Sequence, residues 1–429
     1  MGLRHLILLL LAGFCGVVVE GKFEVQCYLP GWTLNNGMYN PFKVADINPY
    51  GPCDIIVYAF FNVNQTRISP PDGNKYRGHF AQLYSLKEIN PELKLVLSVG
   101  GWNNSDEFVA MAKNGASRSL FAASIVADLR KWSFDGVDID WEYPEPENAQ
   151  DYLSLLQDLK AAIVADAERT KRPRLILTAA VGNTVRPGYK AAEMAKYLDC
   201  INVMTYDYHG MWGAELLKTG SNAGFPDVEK SMLDWIAAGV PRESLSMGLA
   251  FYGRTWTLST PEVENRTERV GNSALGVGTG GFLTHENGTL SYGEICSGLK
   301  AGWTRKMDPV THTPYAFFGN QWVSYDDSQS LEKKVQWAQN NRLQGVFIWH
   351  IGSDDLQGYC GPKFPLLKSV SEILGRPNVI PTLPPKPVAP PYVKPVAPVV
   401  ASASAKTGLS QLQLFMVPSL IVIPFFLKL

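Results

Sequence analysis

The sequence carries no excess of charge of either sign: 39 Lys and Arg stand against 40 Asp and Glu in 429 residues, a formal net charge of -1. That excludes a field able to steer a polyanion such as nucleic acid and favours neutral partners. It also holds no apolar run of the roughly 20 residues that a bilayer core requires. The two segments that come nearest, Leu6 to Val19 and Leu414 to Leu427, are shorter, and Pro418 and Pro424 interrupt the second. The first follows Arg4-His5 and ends at Glu20-Gly21, so residues 1–21 read as a signal peptide cleaved at Gly21, and a secreted protein is expected. Cysteine is sparse. Of six, cleavage removes Cys15 and leaves an odd set, so one thiol has no partner in an oxidising compartment. Cys200 lies inside the apolar run Cys200-Ile201-Asn202-Val203-Met204 and is read as that free thiol, behaving as a small hydrophobe. Sequons begin at Asn64, Asn103, Asn265 and Asn287, in keeping with export.

What is present is a globular composition, 46% hydrophobic and 18% charged, with 11 Trp and 18 Tyr. Such rings fill cores and also stack on sugars. Eight short apolar or β-branched runs punctuate the chain: Glu24 to Leu29, Asp54 to Phe61, Lys94 to Val99, Gly136 to Trp141, Arg174 to Val181, Cys200 to Tyr206, Leu245 to Phe251 and Gly345 to Ile351. Each of the first seven precedes enough residues for a helix, and Tyr152 to Asp166 and Ser330 to Asn340 have helical apolar spacing. Alternation of this kind predicts an α/β fold, a (β/α)8 TIM barrel. The stretch of about 256–322, between the seventh and eighth strands, is too long for one helix and is expected to form a small α+β insertion domain. After the catalytic region, 22–375, a Pro-rich stalk covers 376–400. Small residues from Ala401 to Ala405, a polar spacer and the terminal apolar tail then give 401–429 the order of a GPI-anchor signal, hence membrane attachment through a lipid.

The sharpest signal is Phe134-Asp135-Gly136-Val137-Asp138-Ile139-Asp140-Trp141-Glu142-Tyr143-Pro144. Side chains alternate along a strand, so Asp138, Asp140 and Glu142 fall on one face, toward the barrel interior. Like charges that close cannot all ionise, so at least one carboxyl keeps a proton near neutral pH, as a general acid must. Glu142, last in the row, lies nearest the C-terminal mouth where barrels place chemistry. A carboxylate metal site competes with this reading, but no His or further carboxylate cluster stands nearby in sequence to complete a hard-cation shell.

With these residues the chain resembles glycoside hydrolase family 18, the chitinases, whose signature Asp-x-x-Asp-x-Asp-x-Glu is met by Asp135, Asp138, Asp140 and Glu142. The likeness runs from about Phe23 to Gly375 and includes Ser98-Val99-Gly100-Gly101-Trp102, Met204-Thr205-Tyr206-Asp207, Tyr252-Gly253-Arg254, Trp322-Val323-Ser324-Tyr325-Asp326-Asp327 and Trp349. The resemblance implies an endo-type chitinase cutting β-1,4 bonds between N-acetylglucosamine units, by a retaining route in which the substrate's own acetamido oxygen is the nucleophile. It implies catalytic roles for Glu142 as proton donor, Asp140 orienting the acetamido N–H, Asp138 sharing a proton with Asp140, and Tyr206 holding the acetamido group. Asp135 is given a structural role. Substrate binding falls to Tyr28, Trp32, Trp102, Asn103, Met204, Asp207, Trp212, Tyr252, Arg254 and Trp349, and the Asn103 sequon, placed in the cleft, is expected to be bare. Asn64, Asn265 and Asn287 remain glycosylation candidates. The family's pairing implies disulfides Cys27–Cys53 and Cys296–Cys360. The expected partners are chitin and chitooligosaccharides, bound by a monomer without metal or cofactor. A chitooligosaccharide-binding lectin without turnover and an endoglycosidase on N-glycans are the alternatives; retention of Glu142 argues against the first, the aromatic row and the insertion against the second.

Overall fold

The computed structural model describes residues 22–34, 42–71, 73, 75–102, 104–210, 212, 217–260 and 270–376. The chain divides into a compact unit through Pro381 and a C-terminal unit from Thr382 onward, and all described residues belong to the first. The signal peptide, most of the stalk and the anchor signal therefore lie outside the described residues.

In chain order the elements are β1 (Glu24–Pro30), β2 (Ile55–Asn64), β3 (Arg67–Ser69), α1 (Tyr76–Ile89), β4 (Lys94–Gly100), α2 (Ser105–Ala112), α3 (Gly115–Trp132), β5 (Gly136–Asp140), α4 (Ala149–Thr170), β6 (Ile176–Val181), α5 (Ala191–Met194), β7 (Cys200–Val203), α6 (Phe225–Ala237) and β8 (Leu245–Ala250). There follow β9 (Tyr252–Leu258), β10 (Ala274–Val277), β11 (Thr289–Ser291), α7 (Tyr292–Lys300), β12 (Thr304–Met307), β13 (Pro314–Phe318), β14 (Gln321–Ser324), α8 (Ser328–Asn340), β15 (Gly345–Trp349) and α9 (Pro365–Ile373). The main sheet runs β1-β15-β8-β7-β6-β5-β4-β2, carries β3 as an antiparallel hairpin partner of β2, and closes on itself through β1–β2. Parallel strands covered on both faces read as continuous apolar runs, which is why Val25, Ile56, Val96, Val137, Leu177, Ile201, Leu249 and Ile348 are all fully buried. Strands β9 to β14 form a second, antiparallel sheet between β8 and β15, with its own cluster around Trp256, Tyr315 and Trp322. This is the expected insertion.

Two of the first seven barrel strands are followed by little helix. Among the described residues, β1 is followed only by the 3-10 turns Gly31–Leu34 and Val44–Asp46. After β6 the helix shrinks to the four residues of α5, since Gly182, Pro187 and Gly188 spend the connection on a tight loop. The disulfides Cys27–Cys53 and Cys296–Cys360 are formed and Cys200 is a free, buried thiol. The first ties β1 to the segment that enters β2, and the second ties α7 of the insertion to the loop before α9.

Candidate active site

Strand register assembles the site. Ser98 of β4 lies opposite Asp138 of β5, and Asp138 lies opposite Thr178 of β6, so three polar side chains share one layer of an otherwise apolar barrel. The carboxylate of Asp138 is buried and accepts from Tyr28 Oη at 2.9 Å, Ser98 Oγ at 2.7 Å and Thr178 Oγ1 at 2.7 Å. The Tyr28 hydroxyl in turn accepts from Asn202 Nδ2 at 3.1 Å, which also donates to Gln26 Oε1 at 3.1 Å. Burial pushes Asp138 upward, and the three hydroxyl donors oppose that by favouring its charged form.

Asp140, next on the same face, is buried too, and its Oδ1 has no hydrogen-bond partner among the described residues. Burial, then the charges of Glu142 and Asp138, hold its carboxyl well above the ordinary range. The three hydroxyl donors all go to Asp138, and none of them reaches Asp140.

β5 ends at Asp140, one residue short of the expected run to Trp141, and Glu142 stands two residues beyond it, in the mouth. Trp141 explains the exit. Its indole is buried and stacked on Phe108, with ring centres 5.2 Å apart and planes at 7°, which pins the chain where it leaves the strand. The close approach of β4 is needed as well: a Cβ on Gly100, at φ +122°, would sit 2.0 Å from the Asp140 carbonyl oxygen, and the Gly101 N–H donates to that same oxygen at 2.9 Å. Burial raises Glu142 to about 7, aided by Asp207 and opposed by Tyr143 and Arg186. Such a value does not by itself identify an acid, since Asp354 is also lifted to about 7 by burial and merely caps α9, accepting from the Leu366 and Leu367 N–H groups. What separates Glu142 is its place at the open end of the carboxyl row.

Beyond β7 the backbone leaves the ladder. Thr205 and Tyr206 donate to carbonyls only two residues back, and Asp207 adopts φ +59°, so the expected strand stops at Val203 and Tyr206 and Asp207 belong to the mouth. Tyr206 is buried with its ring 6.0 Å from those of Tyr252 and Phe347, in space that Gly248 leaves open: a Cβ there would lie 2.8 Å from Tyr206 Cε1. Asp207 accepts from Tyr252 Oη at 2.7 Å and, in bidentate fashion, from Arg254 Nε at 2.7 Å and Nη2 at 2.8 Å. The Arg254 guanidinium carbon lies 5.0 Å from the Trp212 ring centre. Asp135, at the entry of β5, pairs with Lys87 at 2.5 Å and accepts from the Leu95 N–H, a joint between α1, β4 and β5 remote from the mouth.

The aromatics divide in two. Trp32, Trp102 and Trp212 are 49%, 71% and 46% exposed, high values for tryptophan. Trp349 lies among Tyr28, Phe60, Trp32 and His350, stacked on Phe60 at 5.5 Å. Tyr28 is the correction: placed in the stacking row by the sequence, it is buried with its hydroxyl committed to Asp138, and it serves as a donor rather than a platform. Met204 is buried. Burial holds His350 near 3, so it stays neutral, hydrogen-bonded to Ser353. Asn103 and Asn265 lie outside the described residues, while Asn64 and Asn287 are exposed. Sequence reasoning gave no role to Ser98, Thr178, Asn202 or Phe60. For Ser98 and Thr178 the signal was a lone polar residue at the register positions on either side of Asp138. Among the described residues one trio of metal-ligating side chains gathers, Cys296, Asp355 and Cys360, and both of its sulfurs are in the disulfide.

The sequence and the fold both have parallels in known proteins. The profile of Glycosyl hydrolases family 18 matches residues 24–354. The chain belongs to that family. It is 35% identical over 389 residues to human Chitinase-3-like protein 2, covering 86% of this chain and 95% of that protein. It is 31% identical over 398 residues to the Endochitinase of Manduca sexta, covering 84% and 69%. Its fold superposes on human YKL-39, a pseudo-chitinase with retained chitooligosaccharide binding properties, with a TM-score of 0.76 at 34% identity, covering 82% of this chain and 100% of the other. The proteins similar to this chain thus include both an endochitinase and a pseudo-chitinase that retains chitooligosaccharide binding.

Proposed function

We propose that this family 18 protein is a catalytically competent, endo-acting chitinase with Glu142 as its proton donor. The observation that carries the reading is the carboxyl row, complete from Asp138 to a glutamic acid at the mouth whose carboxyl is raised to about 7. Glu142 protonates the glycosidic oxygen of a sugar seated over Trp349, and the substrate's acetamido oxygen closes on the anomeric carbon. Asp140 takes the acetamido N–H on its free oxygen and balances the positive charge that develops. Asp138, held by three hydroxyls, supplies a fixed charge behind it. The Tyr206 hydroxyl, which bonds to no described residue, is available to the acetamido oxygen. The reacting groups are all carboxyls and a phenol, so the route calls for no metal or cofactor, and one protomer suffices. Neighbouring sugars stack on Trp32, Trp102 and Trp212. Binding without turnover, as in YKL-39, is the competing reading, and the presence of Glu142 favours hydrolysis.

The pH dependence tests this. The working form of Glu142 is protonated and its pKa is raised, so the proton is held below about 7 and lost above it. The turnover of chitooligosaccharides is therefore expected to fall about tenfold per unit on the alkaline side of about 7. Activity that rises through neutrality would contradict the assignment.

We further place the enzyme outside the cell, after cleavage of residues 1–21, on a Pro-rich stalk over 376–400 that ends in a glycolipid attached at Ser402, Ala403 or Ser404. Phosphatidylinositol-specific phospholipase C applied to expressing cells should release chitinase activity into the medium. Activity that stays on the cells, or that was already wholly in the medium, contradicts the anchor.

A further inference from the structure

One cation stands at the rim of the site. Arg186 is exposed, and its guanidinium makes no hydrogen bond or ion pair with the described residues. Its guanidinium carbon lies 4.2 Å from the ring centre of Tyr143, the residue that follows Glu142. That is close for a cation over an aromatic face, where contacts reach out to about 6 Å.

The loop between β6 and α5 is built to hold it there. Residues 186–189 form a tight turn closed by Tyr189 N–H to the Arg186 carbonyl at 3.0 Å, with Pro187 fixing the second position. The Tyr189 hydroxyl accepts from the Gly182 N–H at 3.2 Å and so draws the two ends of the loop together. Two glycines let this loop lie directly on the segment after Glu142. A Cβ on Gly188 would come within 1.7 Å of the Pro144 carbonyl oxygen, and one on Gly182 would crowd Tyr143 Cε1 at 3.3 Å and Arg186 Nε at 3.6 Å. The Tyr143 ring also meets the exposed Trp102 in a T-shaped contact, with ring centres 6.4 Å apart and planes at 72°. Tyr143 thus contacts both a cation from one loop and a tryptophan from another.

We propose that Arg186 is a positioning residue for Glu142, clamping the Tyr143 ring beside the acid and setting a fixed positive charge at the rim. Among the described residues, the titratable groups that act on Glu142 include Asp140 and Tyr143 from the β5 segment, Asp207 from the loop after β7, and Tyr189 and Arg186 from the loop after β6. Asp140 and Asp207 are acidic, and among these groups Arg186 is the one cation. It stabilises the charged form of Glu142, in the direction opposite to burial. The proposal rests on Glu142 being the proton donor.

Arg186→Met keeps the apolar stem and removes the charge. Its loss disfavours the carboxylate, so the alkaline limb of kcat is expected to move up by about half a pH unit. The low-pH plateau falls severalfold with KM little changed, because the clamp acts on the chemical step. Arg186→Lys restores the limb. Carbon-13 NMR of labelled glutamate, with Glu142→Gln to assign the signal, reads the Glu142 titration in all three proteins without any need for turnover. A titration in Arg186→Met that coincides with wild type, or one in Arg186→Lys that shifts as far as in Arg186→Met, overturns the proposal. A wild type that does not cut chitooligosaccharides overturns the reading of Glu142 instead, and the NMR titration still decides the role of Arg186.

Discussion

Replacing Glu142 by glutamine is expected to lower chitooligosaccharide hydrolysis by about a hundred- to ten-thousand-fold, the usual contribution of a general acid, while binding stays close to wild type. The amide has the shape of the carboxyl but no proton to give. Removing the carboxyl also removes a group whose charging is opposed by burial and by Asp207, so the fold is not weakened at alkaline pH. The aromatic platforms are expected to stay in place, since Trp32 and Trp349 pack on each other and on Phe60, Trp102 on Tyr143, and Trp212 against Arg254. Turnover by kinetics and affinity by calorimetry, measured on the same preparation, separate the two effects. Turnover within about threefold of wild type would remove Glu142 from the mechanism.

The largest expected loss of stability comes from Lys334→Met. Lys334 Nζ lies 2.6 and 2.7 Å from the two oxygens of Asp326, both side chains are fully buried, and Ser330 Oγ donates to the same carboxylate at 2.6 Å. The pair locks the segment leaving β14 to α8, where the insertion rejoins the barrel. Methionine fills the space but leaves a buried carboxylate without its cation, a change that costs about 3–5 kcal/mol. Asp326 is already raised by burial, and loss of Lys334 raises it further. A raised carboxyl takes up its proton as pH falls, so the loss should be greatest at high pH and shrink through the acid range. Asp326→Leu combined with Lys334→Met removes both charges and is expected to recover most of the stability. Denaturant midpoints at two pH values check each point. A Lys334→Met protein as stable as wild type would show that Asp326 is neutral in the folded state.

The barrel was legible because a parallel strand buried on both faces must be apolar throughout, and few other segments satisfy that demand eight times over. Strand ends were less so. Nothing local says that β5 stops at Asp140 or β7 at Val203; the breaks arise from Trp141 packing on Phe108 and from the left-handed turn at Asp207. The acidic residues of the site were visible because carboxylates are rare inside apolar runs. Their supports were hidden, since Ser98 and Thr178 are ordinary strand residues until register brings each beside Asp138 from 40 positions away. Tyr28 was misplaced for a related reason: a sequence shows a ring, while the face to which it points depends on the closed barrel. Arg186 has no sequence signature at all. Its position follows from the two glycines that press its loop against Tyr143 and Pro144.

The central claim is a retaining hydrolysis driven by Glu142 and the substrate's own acetamido group. Proton NMR of the wild-type protein with a chitooligosaccharide, recorded before the product anomers equilibrate, tests it most directly. The account predicts shorter oligosaccharides whose new reducing ends appear first as the β anomer. New ends that appear first as the α anomer, or an oligosaccharide that is bound but never cut, would contradict it.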